Sequence, residues 1–233
     1  MGPGLRDLWD GQLLHAMIPL PRLYAIVDSS AHESIQDLIA CVAELAAAGC
    51  SLLQYRNKSG SARAMLEQAR ELRRLSRAEP ALRLPKGVPA PRLRLIMNDR
   101  ADLCLAADFD GVHVGQEDLS SESVRRIIGP DRWLGISTHN PEQLREADRT
   151  PADYLAIGPV FATSSKDKPD PVVGLEGVRR ARALTRKPMV AIGGITRANA
   201  ASVIEAGADS VAVISDLLRE PRKSAEEFFR ILR

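Results

Sequence analysis

Apolar residues recur along this chain with two alternating periods. Short apolar runs, rich in β-branched residues, are separated by longer stretches whose apolar positions fall three or four apart. The first pattern is that of buried strands and the second that of amphipathic helices. Leu23–Val27 is the first predicted strand, closed by Asp28, and Ser34–Ala48 the first predicted helix, with Gly49 placed to end it. Ser51–Arg56 is a strand that turns polar at its end, and Ser61–Arg77 a second helix. Four prolines and a glycine between 78 and 92 mark a long surface loop. Leu93–Met97, Gly111–Val114, Trp133–Ile136, Tyr154–Ile157, Pro188–Ile192 and Ser210–Ile214 are the remaining strands. Helices are predicted over Asp102–Ala107, Ser121–Ile128, from Pro141, over Leu175–Leu184 and Ala198–Ala206, and from Ser215 onward. Pro141 suits a first helical position, where a missing N–H costs nothing.

Eight strands thus alternate with eight helical stretches. Strict alternation implies a parallel sheet with right-handed crossovers. Eight units in 233 residues favour a single (β/α)8 TIM barrel over an open doubly wound sheet. The barrel domain is expected over 23–233, preceded by an N-terminal extension of residues 1–22 whose Leu13, Leu14 and Met17 would cover one end of it.

In such a barrel the site lies at the C-terminal ends of the strands. Those ends carry Gln54-Tyr55-Arg56-Asn57-Lys58, Asn98-Asp99, Gln116-Glu117-Asp118, Ser137, Thr163-Ser164-Ser165-Lys166, Gly193-Gly194 and Ile214-Ser215. Asp99 and Asp118 follow neighbouring strands and would face one mouth. Paired carboxylates repel unless a cation lies between them, and Mg²⁺ is the usual occupant, completing its shell with water and phosphate. Each Asp also precedes a helix and could instead cap it. Gly193-Gly194 and Ser215 match the phosphate site that barrels build after strands seven and eight, although a tight turn would also use two glycines. Arg56, Lys58 and Lys166 would bracket a second anion from the side opposite the metal. Two phosphorylated ligands are therefore expected, a monophosphate and a diphosphate. His113 is expected to pack, His139 is ambiguous, and no Ser/His/Asp nucleophilic set is apparent.

Composition narrows the class rather than the chemistry. With 45% hydrophobic and 27% charged residues the chain is an ordinary globular one. A net charge of +2 provides no field for nucleic acid or a membrane surface. Cys41, Cys50 and Cys104 fit no metal-binding spacing and read as buried thiols of a reducing, cytoplasmic protein. Residues 1–22 hold no apolar run long enough for a signal peptide or a membrane helix. Self-association into a homo-oligomer is left open.

These residues, from about 23 to 218, resemble the thiamine phosphate synthase family. The likeness is carried by Gln54–Lys58, Asn98–Leu103, Gly111–Leu119, Gly158–Phe161 with Thr163, Ser165 and Lys166, Gly174–Gly177 and Ala191–Ile195. It implies an enzyme that joins hydroxymethylpyrimidine diphosphate to thiazole phosphate and releases diphosphate. It implies Mg²⁺ on Asp99 and Asp118. It implies the pyrimidine diphosphate on Gln54, Arg56, Lys58, Asn98, Ser137 and Lys166; of these, Arg56, Lys58, Ser137 and Lys166 are the catalytic set. Tyr55 and Asn57, in the same polar strand end, are counted with the substrate-binding residues. Thr163, Ser164, Ser165, Gly193 or Gly194, Ile214 and Ser215 are implied to hold the thiazole phosphate. Ser165 stands where the family usually has Thr, Ala162 where it often has Pro, and the 78–92 loop is longer than its norm. Two alternatives are carried: a thiazole tautomerase-like isomerase with His139 as proton carrier, and a non-catalytic thiazole phosphate-binding protein.

Overall fold

A computed structural model of the chain describes residues 20–78, 92–163 and 170–233. The strands are β1 Leu23–Asp28, β2 Leu52–Arg56, β3 Arg94–Asn98, β4 Gly111–Val114, β5 Trp133–Thr138, β6 Tyr154–Ile157, β7 Met189–Ile192 and β8 Ser210–Val213. All pair in parallel with their sequence neighbours, and β8 pairs with β1 to close the barrel. The helices are α1 Ile35–Ala47, α2 Ala62–Ala78, α3 Ala101–Ala106, α4 Ser121–Ile128, α5 Pro141–Asp148, α6 Gly174–Leu184, α7 Ala200–Glu205, α8 Ser215–Leu218 and α9 Pro221–Ile231. The expected (β/α)8 TIM barrel is the observed fold. The 1–22 extension and the 78–92 loop lie mostly outside the described residues.

Period-two alternation divides each strand between two cores. Leu23, Ala25 and Val27 of β1 point outward and join the large cluster packed against the helices, with Leu38, Val42 and Leu45 of α1. Burying each of these Leu and Val side chains of α1 stabilises the fold by ~2 kcal/mol. Tyr24 and Ile26 point inward and join Leu52, Ile96, Trp133, Tyr154, Ala156, Val190 and Ala212 in the barrel interior. The barrel is therefore plugged below its mouth, and a ligand has only the rim to occupy.

Most boundaries fall within one residue of expectation, and three larger departures have identifiable reasons. β5 runs two residues further than its apolar run, because Ser137 and Thr138 continue the ladder to Ala156 and Ile157, and Thr138 donates to the Ala156 carbonyl at 2.8 Å. α7 starts at Ala200 rather than 198, because Asn199 accepts from the Thr196 N–H at 2.8 Å and donates to the Gly194 carbonyl at 3.0 Å, holding a turn. The last helical region is split by Pro221, which opens α9.

The N-terminal rim repeats one device. Asp110, Asp153 and Asp209 stand immediately before β4, β6 and β8. They accept the backbone N–H groups of Leu95, Leu134 and Met189 on the preceding strands at 2.8, 2.7 and 2.8 Å. Each also pairs with an arginine from an even-numbered helix, Arg73 at 3.1 Å, Arg125 at 2.6 Å and Arg182 at 2.8 Å. Every one of these carboxylates thus has both a cation and an amide.

Candidate active site

The opposite rim is built by the strand ends that the sequence singled out. Register places Asp28 of β1 beside Arg56 of β2, and Asn98 of β3 beside His113 of β4. Arg56 forms a salt bridge with Asp28, which is buried and also accepts from the Ser30 hydroxyl at 2.7 Å. Burial alone would raise the Asp28 pKa, but the Ser30 hydrogen bonds and the Arg56 charge outweigh it and hold the carboxyl below its usual range. A charged Asp28 in turn fixes the Arg56 guanidinium at the mouth. Asp28 was read only as the end of a strand. The alternation Tyr24, Ile26, Asp28 was the available signal that it points inward.

Asp99 and Asp118 come together, as the metal reading requires. Neither caps a helix: Asp99 has a left-handed backbone (φ 62°), its N–H donating to the His113 carbonyl at 2.8 Å, and α3 has Arg100 at its cap position. The Asp118 carboxylate accepts the Gly115 N–H at 2.7 Å, and Ser120 caps α4. Burial raises the Asp99 pKa first, and the neighbouring Asp118 raises it further, against the lowering influence of Lys58. Lys58 forms a salt bridge with Asp99. Beside them the Asn98 side-chain amide nitrogen is buried with no hydrogen-bond partner. Two crowded carboxylates suit a hard divalent cation such as Mg²⁺. Among the described residues no group of three or more His, Cys, Asp or Glu side chains could hold a metal. Water and ligand oxygens would have to supply most of the shell.

Ser137 stands on the next strand. Its hydroxyl lies 2.8 Å from His113 Nε2, and its carbonyl accepts from Gln116 Nε2 at 2.6 Å. His113 was expected only to pack. It is buried, yet both ring nitrogens are hydrogen-bonded, and burial pushes its pKa down to about 4. Gln54 lies inside the barrel below Arg56.

Two assignments need correcting. Tyr55 points outward into the helix-facing core, where its hydroxyl donates to Gln68, because an odd step along β2 reverses the side chain. Asn57 is used by its own loop: its carbonyl oxygen accepts the Ser59 and Gly60 N–H groups at 3.2 and 2.7 Å, and its amide donates to Tyr55. Neither side chain faces the mouth as a ligand.

Among the described residues the β6–β8 side is built largely of backbone. Gly193 and Gly194 adopt φ of 100° and 63°. A Cβ on Gly193 would sit 2.5 Å from Pro159, and one on Gly194 2.5 Å from the Ala162 carbonyl. The glycines thus let the loop after β6 lie directly against them, with Phe161 N–H donating to the Gly193 carbonyl at 3.0 Å. They do not open a helix directly, since the Asn199 turn intervenes. Ser215 does open α8 and is exposed, while Ile214 packs on the interior cluster. Thr163 is half-buried at the end of the described loop; Ser164, Ser165 and Lys166 lie outside the described residues. His139 Nδ1 lies 2.7 Å from the Gly158 carbonyl and 3.5 Å from Asp170.

A family model described as thiamine monophosphate synthase matches residues 23–217. A thiamine-phosphate synthase of Koribacter versatilis is 57% identical over 218 residues, which is 92% of this chain and 97% of that one. One from Chloroflexus aurantiacus is 44% identical over 194 residues, 83% of each chain. The solved structure of a thiamine phosphate pyrophosphorylase from Pyrococcus furiosus superposes with a TM-score of 0.76 at 34% identity, covering 91% of this chain and 95% of that one. The isomerase and the non-catalytic alternatives give way to these matches. The chain belongs to the thiamine monophosphate synthase family, and its activity is that of a thiamine-phosphate synthase, a transferase of thiamine biosynthesis.

Proposed function

We propose that the β1–β5 side of the mouth binds hydroxymethylpyrimidine diphosphate and drives loss of its diphosphate, while the β6–β8 side holds thiazole phosphate for attack. The observation that carries this reading is the convergence of Asp99, Asp118, Lys58, Arg56 and the unpartnered Asn98 amide on one rim. Asp99 and Asp118 would hold Mg²⁺, which when bound supplies charge stabilisation to diphosphate oxygens. Lys58 then exchanges its Asp99 partner for a phosphate oxygen. Arg56, kept in place by Asp28, and the Asn98 amide donate to the same group. Lys166 is assigned to this set on its place in the sequence alone.

Bond changes follow from the charges. The methylene C–O bond breaks and its electron pair leaves with the diphosphate. The electron-rich aminopyrimidine spreads the positive charge left on carbon. The thiazole nitrogen lone pair then forms the new C–N bond, so no general base is required. Donors aimed at the leaving group lower the barrier where charge develops. The phosphate anchor fixes the approach of the nucleophile, through the Gly193 and Gly194 backbone, Ile214, Ser215, Thr163, Ser164 and Ser165, and so supplies proximity. Three free, buried cysteines support a reducing, cytoplasmic setting. Among the described residues no helix is long and apolar enough to cross a membrane. The test is to mix both substrates with purified protein, with and without Mg²⁺, and to follow thiamine phosphate and diphosphate together. Metal-dependent release of both in equal amounts supports the reading; formation of thiamine phosphate at the same rate in excess chelator overturns the metal assignment.

A further inference from the structure

The barrel interior carries a line of hydrogen bonds whose middle, Tyr24, Tyr154 and His113, the chemistry above does not use. Gln54 Nε2 donates to the Tyr24 hydroxyl at 3.0 Å. The Tyr24 and Tyr154 hydroxyls are 3.0 Å apart. Tyr154 lies 3.1 Å from His113 Nδ1, and His113 Nε2 lies 2.8 Å from the Ser137 hydroxyl. The line crosses from β2 through β1, β6 and β4 to β5, and all of it except Ser137 is buried. Space for it is specifically made. A Cβ on Gly135 would lie 2.2 Å from the Tyr154 ring and 2.4 Å from His113 Nδ1.

Donor counting gives the line a direction. Each phenol has a single proton to give, and a neutral imidazole has one N–H. Tyr24 accepts from Gln54, and the Tyr154 oxygen is the acceptor the line offers its proton, so all donors of the line are used when that proton is directed at Tyr154. Tyr154 accepts that bond, so its proton is directed at His113 Nδ1. Nδ1 is then an acceptor, which puts the imidazole N–H on Nε2, donating to Ser137. With an acceptor position of Ser137 taken from below, its proton is free to point into the mouth. Bonds aligned head to tail in this way polarise one another.

We propose that Gln54, Tyr24, Tyr154 and His113 form a one-way hydrogen-bond relay that holds the Ser137 hydroxyl as a donor toward the departing diphosphate. The inference deepens the reading of Ser137 as a residue on the diphosphate side and rests on it. No proton is transferred; every hydrogen stays on its own atom, and the relay only fixes which way Ser137 faces. Tyr24, Tyr154 and His113 are accordingly positioning residues. A purely space-filling role would need the same rings but no particular histidine tautomer.

The experiment is long-range ¹H–¹⁵N correlation on uniformly ¹⁵N-labelled protein without substrates, with His113 assigned by the signals that His113→Gln removes. The expected result is a single tautomer with the proton on Nε2. A proton on Nδ1 overturns the relay, because Ser137 would then donate inward. Tyr154→Phe is expected to mix the tautomers and to lower kcat roughly 10-fold, less than the ~100-fold loss of an outright missing donor, with KM for thiazole phosphate unchanged. A Tyr154→Phe enzyme with wild-type kcat also overturns it. If Tyr154→Phe does not fold, the wild-type tautomer decides alone. Absence of thiamine phosphate from the wild-type assay would count against the proposed function and leave the tautomer measurement intact.

Discussion

Aspartates serve both rims of this barrel, in opposite circumstances. On the N-terminal rim Asp110, Asp153 and Asp209 each hold a backbone N–H and an arginine. On the C-terminal rim Asp99 and Asp118 are set against each other, and burial with mutual repulsion raises the Asp99 pKa even with Lys58 beside it. The first arrangement lowers the energy of the folded chain by itself. The second stays repulsive even with Lys58 in place, which is what the proposed metal ion would relieve. Both have the same cause in the fold: strand N-terminal ends meet the C-terminal ends of helices, where arginines sit, whereas strand C-terminal ends open onto loops. Loss of charge should thus have opposite consequences on the two rims.

The largest effect is expected at Asp99. Asp99→Asn keeps a residue that tolerates the left-handed backbone but removes one of the two carboxylates proposed to hold the metal. Turnover should fall by ~100-fold or more, on the scale of lost transition-state stabilisation. Thermal stability should hold or rise, because the repulsion with Asp118 is gone. Steady-state kinetics beside a melting curve check both halves; a destabilised Asp99→Asn would erase the distinction between the rims.

Acid should expose a third environment, the neutral interior between the rims. His113 is held at a pKa of about 4 by burial, against 6.5 when free. Below 6.5 the unfolded chain takes up a proton that the folded chain refuses, so stability is full above that pH and is lost as pH falls toward 4. The difference corresponds to on the order of 3 kcal/mol. Denaturant unfolding of wild type and His113→Gln across this window measures it, and the variant should show a flatter profile. Equal slopes would mean that another group governs acid unfolding.

At Asp153 the expected effect falls on stability alone. Asp153→Ala leaves the Leu134 N–H and the Arg125 guanidinium without their shared acceptor in a largely buried place. A loss of about 3 kcal/mol is expected, read as a lower denaturant midpoint, with kcat unchanged at a temperature where the variant is folded. A drop in kcat without one in stability would contradict the division.

Much of this was legible beforehand, for reasons that also mark where reading stopped. The barrel was legible because inner and outer strand faces are both apolar, giving eight dense runs between amphipathic helices. Asp99 and Asp118 were legible because a carboxylate is an abrupt end to an apolar run. Asp28 ends β1 in the same way and was passed over, since a lone Asp gives no sign of the Arg56 it will meet. Tyr55 was misassigned because proximity in sequence says nothing of which face a strand residue takes. Tyr24, His113 and Tyr154 come together across the barrel, and their partnership exists only once the sheet has closed. His113 therefore looked like a packing residue, which by burial it is.

The smallest effect tests the backbone-built side of the mouth, where the ligand's phosphate keeps its charge through the reaction. Gly194 has φ of 63°, and a Cβ there would lie 2.5 Å from the Ala162 carbonyl. Gly194→Ala must therefore either strain the turn or push the loop after β6 outward. Left-handed backbone at Ala costs about 1 kcal/mol, and moving the loop displaces the anchoring amides by a fraction of their hydrogen-bond length. KM for thiazole phosphate should rise roughly 5- to 10-fold, the equivalent of one weakened hydrogen bond to a charged group. KM for the pyrimidine diphosphate should rise less, because, of its proposed ligands, only Lys166 follows β6. Measuring both constants in one variant is the sharpest check on the partition, since a matched rise would mean that the two phosphates share their donors and that the mouth is a single site.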